Sequence, residues 1–585
     1  MLFAKRKASL TLHSAFCTLH SFGGFTMKNS SFSRPSPKAP SSELYLDFQR
    51  RADEFVADNM KGWGPRTIKG TKVIHDCVWG TVMFYPWELE LIDSPLLQRL
   101  RRINQLGLAQ LTYPSAHHSR FEHTLGVVAV TAQMIAGVAR HDAAVMAGKE
   151  QTIPASHQRR LRLAALLHDV GHCFFSHLSE TIYGEMPVMK ELKATEPMFE
   201  RAQPHEIIGY IIINTPTFVK CFGESLGYPF EDGENAAELL EEVGRMIVGA
   251  PPEVKDGVRY VYLTEMINGQ FDADALDYLR RDSYATGLAL GYHIDRFLYK
   301  LRLADRTGDD GIVERHLTVP VSGLSTVEEM VFSKLMLSRY IYQHQKVLAA
   351  ESLIEDMVVG MQRGGRFEHP IDFLYLCDND IYSIGAPSAD KALRPAVTDW
   401  KLSDESDVTV GDMAARVLAR RLPKKALVIS QSNIHSAGGI AARDLGISGL
   451  AAAVSLLPRL REEILAQARI YAEKLDMQRP EMYDIHIAIP HISMAKDYSR
   501  TPVLTYDGEF IPMSEAVNLN DWTRSFAGQS WNAYIFAEPE ILPVVSLAAY
   551  TVLERNGIRC KREMLFSSLK ESDAIEAAAE KLGIN

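Results

Sequence analysis

Acidic residues are missing from the first 42 positions, cysteines number only six in 585 residues, and no run of about 18 apolar residues occurs anywhere in the chain. Each absence excludes something. The cysteines at 17, 77, 173, 221, 377 and 560 have no paired spacing, so a disulfide framework is excluded and a reducing, cytoplasmic compartment is expected. Without a long apolar run no membrane span is expected. A net charge of -10 argues against a surface that coats nucleic acid as a whole. The densest basic patch, residues 416–425, reads as a solvated helix face. Residues 1–42 hold six Lys or Arg and many Ser, a composition similar to a transit peptide; the reading favoured is a disordered tail, or an upstream start with Met27 as the true first residue.

The rest is ordinary globular material, 46% apolar and 23% charged, and too long for a single core. We expect a tail (1–42), a helical core (43–362) and a helical linker leading into a smaller α+β C-terminal lobe (363–585). Short strands are expected at 71–76 and 80–85, a helix pair at 87–107, and helices at 121–147, 156–170, 176–184, 205–213, 235–249, 272–286 and 325–362. Beyond a polar stretch at 385–412, strand patterns fall at 426–430, 485–490, 503–512 and 532–537, with Asp507-Gly508 marking a hairpin turn. His486 and His491 in this lobe read as structural.

The most informative stretch is Leu161 to His177, where three histidines and an aspartate interrupt an apolar helix and the turn after it. Burying such groups costs several kcal/mol unless something binds them, on the order of a lost hydrogen bond or more for each. His168 and Asp169 are adjacent, so both reach one ion only near a helix end, which Gly171 supplies. His172, four residues after His168, falls near the same site as a supporting group. A buried His-Asp ion pair is the competing explanation, and the pairs His75-Asp76 and His141-Asp142 are read that way. His168-Asp169 differs because it alone follows a long apolar run and precedes two further histidines. A transition ion needs outside ligands as well. Candidates are His123, in the ArgPheGluHis that opens a long helix, and the face Asp274, Tyr278, Asp282, spaced by four.

This order of residues resembles the HD-domain metal-dependent phosphohydrolases. The segments 94–107, 118–126, 166–177, 274–282 and 342–344 are similar, in the same order, to the deoxynucleoside triphosphate triphosphohydrolases that include the sterile-alpha-motif/HD-domain enzyme and its bacterial relatives. The resemblance covers about residues 72–355. It implies a mainly α fold, an HD-domain helical bundle, with His123, His168, Asp169 and Asp274 as ligands of one divalent transition metal. Two imidazoles and two carboxylates suit Mn, Fe, Ni or Zn, and Mg would accompany the nucleotide.

The resemblance further implies hydrolysis of a deoxynucleoside triphosphate to deoxynucleoside and triphosphate. Arg120, three residues before His123, is placed to hold a phosphate; the bland alternative is a surface pair with Glu122. His172, His177, Glu180 and His205 form the acid/base pool. Within it His205 with Glu180 is the carboxylate-oriented histidine, and His172 and His177 line the phosphates. Glu180 stands where the family more often has Asp. Gln105, Leu106, Asp282 and Tyr342 correspond to positions that read the 3′-hydroxyl and pack the sugar and base. Two departures concern the triphosphate: Ala275 replaces a family Lys and Lys334 a family Arg, with Tyr278 and Lys334 left to compensate. Lys72, Val73, Asp93, Gln98 and Arg101 match positions that bind an activating guanine nucleotide between subunits, implying a homo-oligomer, dimer or tetramer. His75 and Cys77 depart from that pattern, and Asp93, Gln98 and Arg101 read equally well as a helix cap and its surface pairs. The alternatives are a phosphomonoesterase or phosphodiesterase on the same metal site, or a non-catalytic nucleotide or nucleic-acid sensor.

Overall fold

The computed structural model describes residues 37–64, 68–145, 153–225, 235–308, 310–386, 395–404, 406–455, 459–490, 501–519, 522–523, 526, 531–562 and 572–584. Most of the 1–42 tail, Cys17 and His491 lie outside the described residues, as do the side chains of His141 and Asp142. The fold is mainly α. Helix α1 (Glu43–Asn59) leads into a hairpin of β1 (Lys72–Asp76) and β2 (Gly80–Phe84), with Val73 opposite Met83 and Asp76 opposite Gly80. Helices α2 (Pro86–Ile92) and α3 (Pro95–Gln98) follow, the second tightening into a 3-10 turn through Arg102.

The centre of the molecule is α4 (Arg120–Val145), which packs against both α5 (Ala155–Leu167) and α9 (Ala273–Thr286). Between them in sequence come α6 (His177–Gly184), α7 (Pro204–Ile213) and α8 (Ala236–Ile247). By length and composition α4 from Arg120 to Arg140 passes as a membrane span, which the sequence reading did not anticipate, and 72% of its apolar window is buried inside the protein. Its mixed faces answer to neighbours on every side.

Two expectations need correction here. The helix expected over 325–362 is broken into α10 (Leu324–Leu337) and α11 (Gln345–Arg363), with a π-helical turn at Ser338–Tyr342 between them. The His344 side chain caps the new start by accepting from the Lys346 N–H at 3.2 Å. The wider turn brings the Tyr342 hydroxyl to Asp282 at 2.6 Å, a contact no periodicity announces. Strands beyond the two expected in the core also occur: β3 (Arg302–Thr307) and β4 (Val313–Pro320) form a hairpin. The free edge of β4 takes Val258–Arg259 at its start and Pro502–Leu504 at its end, both parallel. The 503–512 hairpin is thereby joined to the helical core instead of to its neighbours in sequence.

A second core belongs to an antiparallel sheet with Ala533–Ala537 between Ile485–Ala488 and Lys424–Ile429, covered by Leu460–Leu475 and Leu542–Arg555. It meets α11 through Asp356, which accepts two bonds from Arg461 at 2.6 and 2.8 Å and pairs with His486 Nδ1 at 2.9 Å. His486 is thus held by a structural ion pair.

One further contact sets the turn after α5. Asp378, 2% exposed, accepts from the Phe175 N–H at 2.6 Å and the Asn104 N–H at 2.9 Å. Phe175 and Ser176 have φ of 51° and 54°, a left-handed conformation that side-chain-bearing residues adopt only when their surroundings hold them there. Asp378→Ala leaves the Phe175 N–H of that turn and the Asn104 N–H of the facing loop unpaired and should lower stability by about 2–4 kcal/mol in urea unfolding; an unchanged midpoint would show that Asp378 does not hold the turn.

Candidate metal centre and its acid-base neighbours

Helix α5 ends at Leu167, which makes His168 its C-cap and leaves Asp169 in the turn beyond. The turn is held from behind by Arg99, fully enclosed, whose Nη2 donates to the carbonyls of Val170 at 2.9 Å and His172 at 2.8 Å. Gly171 is required for proximity: a Cβ there would lie 2.1 Å from the His205 carbonyl oxygen. The absence of that atom lets α7 approach and delivers His205 to the site.

His123, with no exposed surface, sits on the first turn of α4 facing α9. Its Nδ1 pairs with Asp277 at 2.7 Å and its Nε2 lies 2.9 Å from Asp274. These two carboxylates are three residues apart on α9, so one helix face grips both nitrogens. His168 Nδ1 meets the Ala165 carbonyl at 2.8 Å, which requires the N–H there and leaves Nε2 as the acceptor. The two Nε2 atoms are 3.4 Å apart. Asp169 reaches both, at 3.3 Å from His168 and 3.8 Å from His123, and Asp274 lies 4.0 Å from His168. His123, His168 and Asp169 bring their ligand atoms close enough together to hold one ion, and Asp274 adjoins them through His123 Nε2 at 2.9 Å. The side chains of His123 and Asp169 are enclosed, whereas that of Asp274 is 37% exposed, so the site opens on the Asp274 side.

Charge is distributed unevenly. Burial would push His123 down, but Asp274 and Asp277 override it and raise it to about 10; a bound cation would displace that proton. Burial would raise Asp169, yet Arg120, His168 and His172 hold it well below the usual carboxylate range. Arg120 is buried, with Nη1 at 3.1 Å from Asp169, Nε donating to Ser176 Oγ at 3.0 Å, and Nη2 at 3.3 Å from His177 Nε2. The alternative pair with Glu122 does not form: Glu122 accepts from the Ser119 N–H and hydroxyl instead.

Beside this cluster Glu180 holds two imidazoles at once, His205 Nδ1 and His177 Nδ1, both at 2.7 Å. Burial would depress His205, but the Glu180 carboxylate overrides it and the imidazole rises to about 9. His172 stacks on His205 with ring centroids 3.9 Å apart. Burial, with Arg120 and His205 adding to it, pushes His172 well below the ordinary imidazole value. One imidazole is charged and its stacked neighbour neutral.

The residues expected to read the sugar also gather. Asp282 accepts from the Tyr342 hydroxyl at 2.6 Å with one oxygen and meets His118 Nε2 at 2.9 Å with the other. The Gln105 N–H donates to the His118 carbonyl at 2.9 Å, and Gln105 Oε1 is buried with no partner among the described residues. Leu106, Tyr278 and Lys334 are half-buried, and Ala275 N–H caps onto Asp272 at 2.7 Å. The five positions matched to an activator lie on β1, at the end of α2, on α3 and in the 3-10 turn after it. Lys72 and Val73 are exposed on β1, while Gln98 Nε2 donates to the Ile92 carbonyl at 2.7 Å and Gln98 Oε1 accepts from Arg101 Nε at 2.7 Å. Arg101 also lies over the Phe121 ring at 3.7 Å. Ser94, not Asp93, caps α3. Missed in the sequence were His118, Asp277, Arg99 and Asp378; the first three lie inside quoted motifs without any mark of their role, and Asp378 lies outside them.

A protein-family model described as HD domain matches residues 120–282. That segment is thus similar to an HD domain. It is 28% identical over 291 residues to an uncharacterised protein of Methanocaldococcus jannaschii, covering 49% of each chain. To the Bacillus subtilis uncharacterised protein YwfO it is 27% identical over 344 residues, 57% of this chain and 66% of that one. To human deoxynucleoside triphosphate triphosphohydrolase SAMHD1 it is 29% identical over 300 residues, 49% of this chain and 44% of that one. The match thus spans about half to two thirds of these relatives' length. Among solved structures, a hypothetical protein from Aquifex aeolicus shares the fold with a TM-score of 0.52 at 22% identity, over 82% of this chain and 99% of that one.

The pairing of His205 with Glu180 has a pH signature. A raised histidine contributes stability fully present below about pH 6.5 and lost as pH rises through about 9, while a depressed Glu contributes above its ordinary value near 4.5. The stability difference between the native chain and Glu180→Gln should therefore be greatest between about pH 5 and 8 and shrink toward pH 10. Urea unfolding across that range checks it, and a flat difference counts against the pairing.

Proposed function

We propose that this chain is a metal-dependent phosphohydrolase that cleaves deoxynucleoside triphosphates into deoxynucleoside and inorganic triphosphate. The observation that carries the reading is the convergence of His123, His168, Asp169 and Asp274 beside the charged His205. When bound, a divalent transition ion at these four residues supplies an acidified water and polarises the phosphoryl oxygen. Arg120, fixed by Asp169 and Ser176, presents a guanidinium to the phosphate oxygens. Water adds at the α-phosphorus, the bond from phosphorus to O5′ breaks, and O5′ takes a proton from the imidazoles held on Glu180. His205 keeps that proton near neutral pH, and His177, exposed at the rim, exchanges with solvent. His172, neutral, offers a hydrogen bond to the phosphates without adding charge.

Asp282, oriented by Tyr342 and His118, reads the 3′-hydroxyl, and Gln105 with Leu106 closes the sugar side. Tyr342 is raised well above the ordinary phenol value by burial and by Asp282, so it remains a donor. Tyr278 and Lys334 take the far phosphates in place of the usual Lys and Arg, with Mg accompanying the nucleotide. A cytoplasmic setting belongs to the same reading, and the five described cysteines are all free. So does a homo-oligomer in which Lys72, Val73, Asp93, Gln98 and Arg101 of neighbouring subunits bind a guanine nucleotide.

Product analysis on a panel of ribo- and deoxynucleotides tests the activity. Triphosphate and deoxynucleoside should appear, and replacing His168 and Asp169 together should abolish turnover while leaving the bundle folded; orthophosphate or pyrophosphate as the first product would overturn the reading. A guanine nucleotide should raise activity and oligomer mass by a coupling of about 1 to 3 kcal/mol, and Asp93→Ala should remove both effects. No response in the native chain leaves Asp93, Gln98 and Arg101 as surface structure.

A further inference from the structure

The β1–β2 hairpin reaches the metal centre from outside the HD segment. Asp277, which has no exposed surface, receives four bonds. Its Oδ2 takes His123 Nδ1 at 2.7 Å and Arg281 Nε at 2.8 Å; its Oδ1 takes Arg281 Nη2 at 3.0 Å and the Trp79 indole N–H at 2.5 Å. Trp79 lies in the hairpin turn, 198 residues away in sequence. Asp76, at the end of β1, does two things at once. Its Oδ1 accepts from the N–H groups of Val78 and Trp79 at 2.8 Å each, shaping the turn that presents the indole, and its Oδ2 accepts from Arg281 Nη2 at 2.9 Å. Arg280 lies over the Trp79 ring at 4.7 Å and holds it from the other side.

The carboxylate so gripped has little freedom. A Cβ on Gly126 would fall 1.9 Å from Asp277 Oδ1 and 2.3 Å from Arg281 Nη2, so the backbone of α4 presses directly on the pair. A group that fixes the far nitrogen of a ligating imidazole fixes its tautomer and ring orientation, and loss of such support typically costs about 10- to 100-fold in metal affinity. Arg281 and His123 already give Asp277 three bonds. The fourth, from a half-buried tryptophan that water could serve, is not needed merely to satisfy the carboxylate.

We propose that Asp76 and Trp79 are positioning residues of the metal centre, acting through Asp277 on the orientation of His123, so that the hairpin sets the metal affinity of a site to which it contributes no ligand. The proposal rests on the metal-centre reading above. Its test is titration of the full chain with Mn(II) alone, which requires no substrate. Trp79→Phe keeps the ring and removes only the N–H; Mn(II) affinity should fall about tenfold or more, and Trp79→His, which retains a ring N–H, should recover part of the loss. Asp76→Asn, which weakens the Arg281 anchor, should move in the same direction and serves if Trp79→Phe does not fold. In an Asp277→Asn background Trp79→Phe should cost nothing further. Native affinity in both Trp79→Phe and Asp76→Asn overturns the proposal and leaves the metal centre standing, as does an equal loss with and without Asp277. A native chain that takes up no Mn(II) overturns both.

Discussion

The bond between His123 Nδ1 and Asp277 is the constraint on which the rest of the site depends. An imidazole with no exposed surface can face an ion only if its other nitrogen is occupied and its ring cannot turn. Asp277 does both, and it is itself held by Arg281 and Trp79. The spacing of Asp274 and Asp277 by three on α9 then follows: one carboxylate supports the ring from behind while the other comes beside the same ring in front. Glycine at 126 and at 171 is the steric condition for this arrangement, because in each case a single methyl group would collide with the supporting network or with the helix that brings His205.

How much of this was legible depends on how local each contact is. The run Leu161 to His177 announced itself because imidazoles and a carboxylate in an apolar helix require a reason, and the reason lies within a few residues. Asp274 was legible by its spacing. His118 and Asp277 lay in plain view inside motifs but carry no mark that separates supporting groups from ligands. Arg99 and Asp378 could not be read at all: each serves the turn through backbone carbonyl or N–H groups, and a backbone group has no sequence identity. The broken helix between Leu337 and Gln345 escaped for a related reason. Apolar periodicity continues across it, while the π-helical turn answers to a tertiary contact, Tyr342 on Asp282.

The sheet built on β4 shows the same limit at larger scale. The strands at 302–320 were not expected, and neither was the pairing of β4 with Pro502–Leu504, far along the chain. Parallel pairing of that kind places no demand on the sequence nearby, so the 503–512 hairpin was assigned to the wrong neighbours. The contact makes Val503 part of the helical core, while Arg461 on Asp356 is a place where the second core meets that core.

Two stacked imidazoles at 3.9 Å in one enclosure would repel if both were charged. The structure avoids this by giving the two rings different partners: Glu180 stabilises charge on His205, whereas Arg120 on the far side opposes it on His172. Arg120 in turn tolerates burial because Asp169 is beside it. Along Glu180, His205, His172, Arg120 and Asp169 the charges therefore run minus, plus, neutral, plus, minus, with His172 as the neutral link. A positive group added next to His172 from outside would break the pattern, whereas an anion brought in beside Arg120 and His205 would complete it. That arrangement, set by the protein's own residues, favours an anion over a cation beside Arg120 and His205.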